Sequence, residues 1–172
     1  EKDGELIASA IPWNRLIVDP IDFYSSPVVE KFYKTPAQLR NIKAYDQDAV
    51  NSLLDAVSSR ETQDGQKQDN RANFIEIYEI HGELDEAYLS DNPNATETNK
   101  YVQQMHVVSY VSGKDGKFKD FTLYKGKEKK SPYMITHLIP EDGRTLAIGP
   151  VELLFEAQWM VNHSAKNLKD TL

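Results

Sequence analysis

Apolar and polar positions alternate in two rhythms along this chain, a strand-like one in the middle and a helical one towards both ends. Residues 6–10 are a short apolar stretch that Ile11-Pro12-Trp13 ends. Leu16-Ile17-Val18 predicts a short buried strand, stopped by Asp19-Pro20. Phe23-Tyr24 and Ser25-Ser26-Pro27 form an aromatic-rich turn region, and residues 28–33 fit either a short helix or an extended strand. Thr35-Pro36-Ala37-Gln38 is a helix start: Thr35 caps, Pro36 takes the first helical position and Gln38 completes a capping box, giving a helix to about Lys43. Asp46 caps a second helix, with Ala49, Val50, Leu53, Leu54 and Val57 on one face.

Residues 58–73 are polar, with Asp64-Gly65 near their middle, and predict a long loop. Residues 74–81 are rich in β-branched and aromatic side chains and predict a strand. Residues 88–100 form a polar connection with Asn92-Pro93 as its turn signal. Residues 101–111 and 118–124 predict a hairpin about a tight turn at 113–116, with a second turn around Gly126. Residues 133–139 predict a further strand, and Pro140-Glu141-Asp142-Gly143 turns the chain towards its end.

There the rhythm changes. Gly149-Pro150 opens a helix, since proline suits the first helical position. Val151, Leu154, Gln158, Val161, Ala165, Leu168 and Leu172 follow at alternating steps of three and four, a heptad seam suited to one packing partner. Glu152 and Glu156 near its start, and Lys166 and Lys169 near its end, suit the helix dipole. No stop signal follows Leu172, and the first residue is Glu1, so a piece of a longer protein is expected. The class is α+β: short N-terminal helices, a mostly antiparallel sheet and one long C-terminal helix that continues further. The division is a domain over 1–148 and the start of a long helix over 149–172.

Composition adds little to that picture. The 172 residues suffice for one domain with a core. No apolar run approaches the roughly 20 residues of a membrane span, so no membrane partner is expected. The absence of cysteine excludes disulfides and thiolate metal sites.

Charge distribution changes it more. The net charge of −7 is uneven: residues 76–98 carry seven acids and no Lys or Arg, whereas residues 114–130 carry seven lysines against three acids. Glu83, Asp85 and Glu86 on one side and Lys125, Lys127, Lys129 and Lys130 on the other are candidate contacts with a charged partner, either another copy of the chain or a different molecule. The alternative is that both runs are solvated faces.

Catalytic chemistry is hard to find. There is no phosphate-binding glycine loop, no Gly-x-Ser-x-Gly elbow and no His-Glu-x-x-His. His81, His106, His137 and His163 are single, and a lone strand or helix histidine is usually structural. Asp19 and Asp22 suit turn capping, and Glu76 and Glu79 fall on opposite faces of a strand. Arg144 suits a tie between its loop and a carboxylate. No catalytic residue, cofactor or metal is expected.

Two segments resemble tailed-bacteriophage portal proteins. The first is Ile11-Pro12-Trp13-Asn14, followed by Val18-Asp19-Pro20-Ile21-Asp22-Phe23-Tyr24-Ser25-Ser26-Pro27 and the threonine-led helix from Thr35. The second is His137-Leu138-Ile139-Pro140, then Gly143-Arg144-Thr145-Leu146-Ala147-Ile148-Gly149-Pro150-Val151-Glu152-Leu153-Leu154, with Gln158 and Asn162 beyond. Together they span less than half of the chain, and residues 58–130 match no known pattern. The resemblance implies a fragment from the clip or wing region, leading into a stem helix. It implies a ring, typically a dodecamer, at a capsid vertex of the virion, assembled in the host cytoplasm. The implied partners are other copies of the chain, the terminase, head–tail adaptor proteins, and double-stranded DNA that passes through without sequence-specific binding. The acidic balance suits a channel that must not grip DNA.

Two other readings compete. One is a non-catalytic virion module that binds protein or glycan, which exposed aromatics among Tyr110, Phe118, Phe121, Tyr124 and Tyr133 would favour. The other is a metal-dependent nuclease using Asp19, Asp22 and Glu76, ranked last because no ligand spacing supports it.

Overall fold

The computed structural model describes residues 8–61, 74–90, 96–112, 118–137, 139–147 and 149–170, with backbone only for 59–61, 150–153, 156 and 170. The order of elements is β1 (Leu16–Ile17), β2 (Val28–Lys34), α1 (Pro36–Asn41), α2 (Gln47–Glu61), β3 (Ile75–Asp85), β4 (Tyr101–Ser112), β5 (Phe118–Lys127) and α3 (Pro150–Asp170). A 3-10 turn precedes β1 and another, Glu86–Leu89, follows β3. The strands form one five-stranded antiparallel sheet in chain order. The α+β class and the C-terminal helix are therefore as the sequence indicates.

Local chemistry sets the first two helices. Thr35 Oγ1 accepts from Gln38 N, and Gln38 Oε1 accepts from Thr35 N, so the capping box closes as expected. Asp46 Oδ1 accepts from the backbone N–H groups of Asp48 and Ala49. Val50, Leu53 and Leu54 then repeat on one face of α2 and are buried. They pack with Leu39 of α1 against Ile75, Ile77, Val107, Phe121 and Leu123 of the sheet, which is the core of the protein.

Register fixes what each sheet face carries. Phe32 pairs with Ile77, Glu30 with Glu79, and Val28 with His81, so β2 and β3 place apolar residues at one end of the helix-covered face and ionisable ones at the other. The opposite face carries Lys31, Tyr33, Glu76, Tyr78 and Tyr110. Glu76 and Glu79 accordingly face opposite ways.

Of the two readings open for residues 28–33, the structure takes the strand, which runs over Val28–Lys34. Several expectations need correction. β1 is a two-residue edge strand with Ile17 56% exposed: it stands at the edge of the sheet, paired with β2 on one side. β3 runs on past His81 to Asp85, through Gly82, where a Cβ would lie 2.7 Å from Pro27 Cα. Gly126 is not a turn; it pairs with Met105 within β5, and its missing side chain leaves room for the Tyr124 hydroxyl. Residues 131–137 form no strand. Side chains fasten that segment instead: Tyr133 to Glu30, Tyr24 to Ile135 O and His137 to Thr145 O. The turn at 113–116, residues 62–73 of the expected long loop and residues 91–95 of the polar connection lie outside the described residues.

Candidate assembly surfaces

Every described side chain of α3 is exposed. Within the seam, Leu154 is 64%, Val161 63% and Leu168 67% exposed, and Gln158 and Ala165 are exposed with them. The side chain of Val151, and Leu172 as a whole, lie outside the described residues. Phe155 (69%), Trp159 (60%) and Met160 (63%) are also exposed, and heptad reasoning passed over them. At 3.6 residues per turn, Phe155 and Trp159 lie well away from the seam, so the apolar surface is broader than a single stripe. The signal was present in the apolar run Leu153-Leu154-Phe155 and in Trp159-Met160-Val161. Gln158 Nε2 donates to Asn162 Oδ1 at 3.0 Å, and Trp159 stacks on His163 with ring centres 5.2 Å apart, which occupies one side of the indole.

The two charged runs meet within the chain. Lys127 and Lys100 both bond the Glu86 carboxylate, at 2.5 and 2.7 Å. Those hydrogen bonds, from Lys100 first and then Lys127, pull the Glu86 carboxyl down to about 2. Lys125 Nζ donates to Ser90 O at 2.7 Å. The β3–β4–β5 meander brings the Glu86–Leu89 turn beside the end of β5, so opposite charges pair within the chain. Asp85 is no surface charge: it is 4% exposed and accepts from the N–H groups of Ala87, Thr98 and Asn99 and from the Thr98 hydroxyl. The N–H of Ala87 is the strongest of the bonds that hold its carboxyl below the usual carboxylate range. Glu83, Lys129 and Lys130 remain exposed.

A second cluster lies on the helix-covered face, beyond the core. His81, 2% exposed, bridges two carboxylates: Nε2 lies 2.8 Å from Glu79 Oε1 and Nδ1 lies 2.7 Å from Glu128 Oε2. Tyr133 sets its ring edge-on to the imidazole at 5.2 Å and donates to Glu30, which Arg15 also bonds at 3.0 Å. Nothing local in the sequence marks this cluster, since Glu128 is 47 positions from His81. His106 is a different case: Gln104 bonds its Nε2, and burial, with Lys125 nearby, holds its pKa down.

The sheet face opposite the helices carries Tyr33, Tyr78, Tyr110 and Phe118. Tyr78 and Tyr110 stack at 5.4 Å, Phe118 meets Tyr110 edge-on, and Tyr110 and Phe118 are 47% and 66% exposed. Of the other aromatics singled out above, Phe121 is buried and Tyr124 and Tyr133 are half-buried.

The nuclease residues do not converge. Asp19 accepts from Ile21 and Asp22, Asp22 accepts from Tyr24 and Ser25, and Glu76 is held by Tyr78 and Lys31. The two aspartates cap turns, as their setting beside Pro20 indicates. Arg144 ties its loop to Glu141 at 2.7 Å, and Gly143 takes the positive φ of that turn. Among the described residues no group of acids and histidines is arranged to hold a metal, and no helix is long and apolar enough to cross a membrane.

No family model, curated protein or solved structure matches the chain.

Proposed function

We propose that this chain is a non-catalytic structural module of a phage portal-like ring, in which α3 packs against neighbouring copies. The observation that carries the reading is the exposed apolar surface of α3, on Leu154, Phe155, Trp159, Met160 and Val161. A helix apolar over so much of its circumference is stable in water only when other chains or other parts of a larger protein cover it. A ring supplies identical neighbours on both sides, and a heterologous contact closes it.

A second line of support comes from the two segments that resemble portals. They lie more than a hundred residues apart and touch: Thr145 donates through its N–H to Pro20 O at 2.8 Å and through its hydroxyl to Asp19 O. In this reading the ring sits at the virion's capsid vertex, docks terminase and adaptor proteins, and passes double-stranded DNA. The test is the mass and shape of the full-length protein by light scattering and negative-stain imaging. A closed ring with a central hole is expected; a monomer at micromolar concentration rejects the proposal.

The runner-up is a module that binds protein or glycan. The exposed Tyr110 and Phe118 on an uncovered sheet face favour it. Replacing both with Ser separates the readings, because a ring built through α3 survives that change and binding through the sheet face does not.

A further inference from the structure

We propose that Glu79, His81 and Glu128 form a proton-operated latch that fastens the segment between β5 and α3 to the sheet. The inference stands apart from the assembly reading, because it concerns only how this chain holds its own connection to α3.

The geometry is that of a shared proton donor. His81 comes from β3, and both its ring nitrogens sit within hydrogen-bond distance of a carboxylate oxygen. A neutral imidazole has one N–H, so it satisfies one of these carboxylates and turns a lone pair on the other; the imidazolium donates to both. One carboxylate, Glu79, belongs to β3 itself. The other, Glu128, opens the segment that leads to α3. Protonation of one ring therefore decides whether the Glu79 and Glu128 side chains are both bonded at once or one of them faces a lone pair.

The groups around His81 reinforce the sign. From β2 comes Glu30, reached through Tyr133 and paired with Arg15; from β3, Glu79, with Glu83 at the rim; from the segment after β5, Glu128. On β4, Met105 lies opposite. The aromatic turn contributes Phe23, Tyr24 and two serines, which with Ser131 and Gln103 line a cleft of about 30 Å³ beside the ring, space for a single water. With His81 charged, two cations face Glu30, Glu79 and Glu128. With it neutral, Arg15 is the one cation of these groups that opposes them, and the buried Glu30 and half-buried Glu79 and Glu128 carboxylates repel. Burial pushes the imidazole pKa down, but the bonds from Glu79 and Glu128 outweigh it and the net direction is up from 6.5.

The latch is therefore fully closed below the ordinary histidine value and opens as pH rises through the higher value of the folded state. Opening breaks one of the two carboxylate bonds to the ring and loosens the ring's edge-on contact with Tyr133, while the Glu128 N–H to Gln103 O, Tyr24 OH to Ile135 O and Thr145 to Asp19 and Pro20 still hold the backbone of the connection.

The test is NMR of the 172-residue chain with labelled histidine and tyrosine. His81 should titrate above 6.5, and its ring contact with Tyr133 should weaken with the same midpoint. The amides of Val50 and Leu53 should keep their shifts through that range. Glu128→Gln, which keeps the shape, should lower the midpoint by on the order of one pH unit. His81→Gln should make the Tyr133 environment insensitive to pH in this window. Should His81→Gln fail to fold, Glu128→Gln carries the test alone. A His81 that titrates at or below 6.5, a Tyr133 contact that persists through the titration, an unmoved midpoint in Glu128→Gln, or loss of the Val50 and Leu53 signals at the same midpoint would each overturn the latch.

Discussion

Lys127, at the end of β5, places its Nζ 2.5 Å from Oε1 of Glu86 on the turn after β3. This pair joins the acidic and basic runs of the chain, which in sequence fit either contacts with a charged partner or two solvated faces. The sheet meander brings them side by side, and Lys100 adds a second cation to the same carboxylate. Of the candidate partner charges, Glu83, Lys129 and Lys130 are exposed outside this pairing, and in the proposed ring the apolar surface of α3 is the principal candidate for assembly.

The Glu86 pairing has a pH signature. A carboxyl lowered from 4.5 to about 2 contributes stability that is present above the unfolded value and is lost as pH falls through the folded one. The melting temperature of Glu86→Gln should lie below wild type at neutral pH. The gap should close between 4.5 and about 2, and shrink in high salt. A gap that is constant over that range would mean the pairing contributes nothing measurable, as many exposed ion pairs do.

Thr35→Ala removes the hydroxyl that accepts from Gln38 N. Loss of a capping threonine costs about 0.5–2 kcal/mol. With only six residues in α1, the short helix has few other bonds to compensate. Chemical denaturation should show a lower midpoint with an unchanged slope, since the surface exposed on unfolding stays the same. Thr35→Ser should keep most of the wild-type stability.

The capping box was legible because both of its partners lie within three residues. So was the face of Val50, Leu53 and Leu54, because helical period reports burial directly. The segment at 133–139 was misread because alternating bulky residues describe an extended chain without saying whether a neighbouring strand will pair with it. Tyr133 finds Glu30 instead, 103 positions away. β3 was cut short at Gly82 because glycine weakens a strand signal, whereas Pro27 packs so close that no larger residue fits. The His81 cluster was invisible because its members are spread over β2, β3 and the segment after β5, and single acids in an acidic chain carry no pattern.

Leu53 is wholly buried where α2 meets the sheet. Leu53→Ala should cost about 2–5 kcal/mol, combining lost burial with the cavity left behind. A domain of this size has about 5–15 kcal/mol to lose, so the variant should remain folded near 25 °C with a markedly lower melting temperature. A change under about 0.5 kcal/mol, the range of ordinary surface substitutions, would contradict the placement of α2 on the sheet.

The last prediction separates folding from assembly. Val161 and Leu168 are 63% and 67% exposed, so changing both to Glu removes little burial within the chain. The melting temperature of the 172-residue chain should move by no more than a surface substitution does, about 0.5 kcal/mol in stability. In the proposed ring the same pair would place acids on the seam of every copy, where they lose apolar contact and repel across each interface. Ring formation, followed by light scattering, should fail there while each subunit stays folded by circular dichroism. If the chain unfolds while full-length rings still form, the seam is a local core stripe, and the helix ceases to support a portal. If neither property changes, the ring contact runs through Phe155, Trp159 and Met160 on the broader apolar surface, and the same experiment on Phe155→Ser with Trp159→Ser decides it.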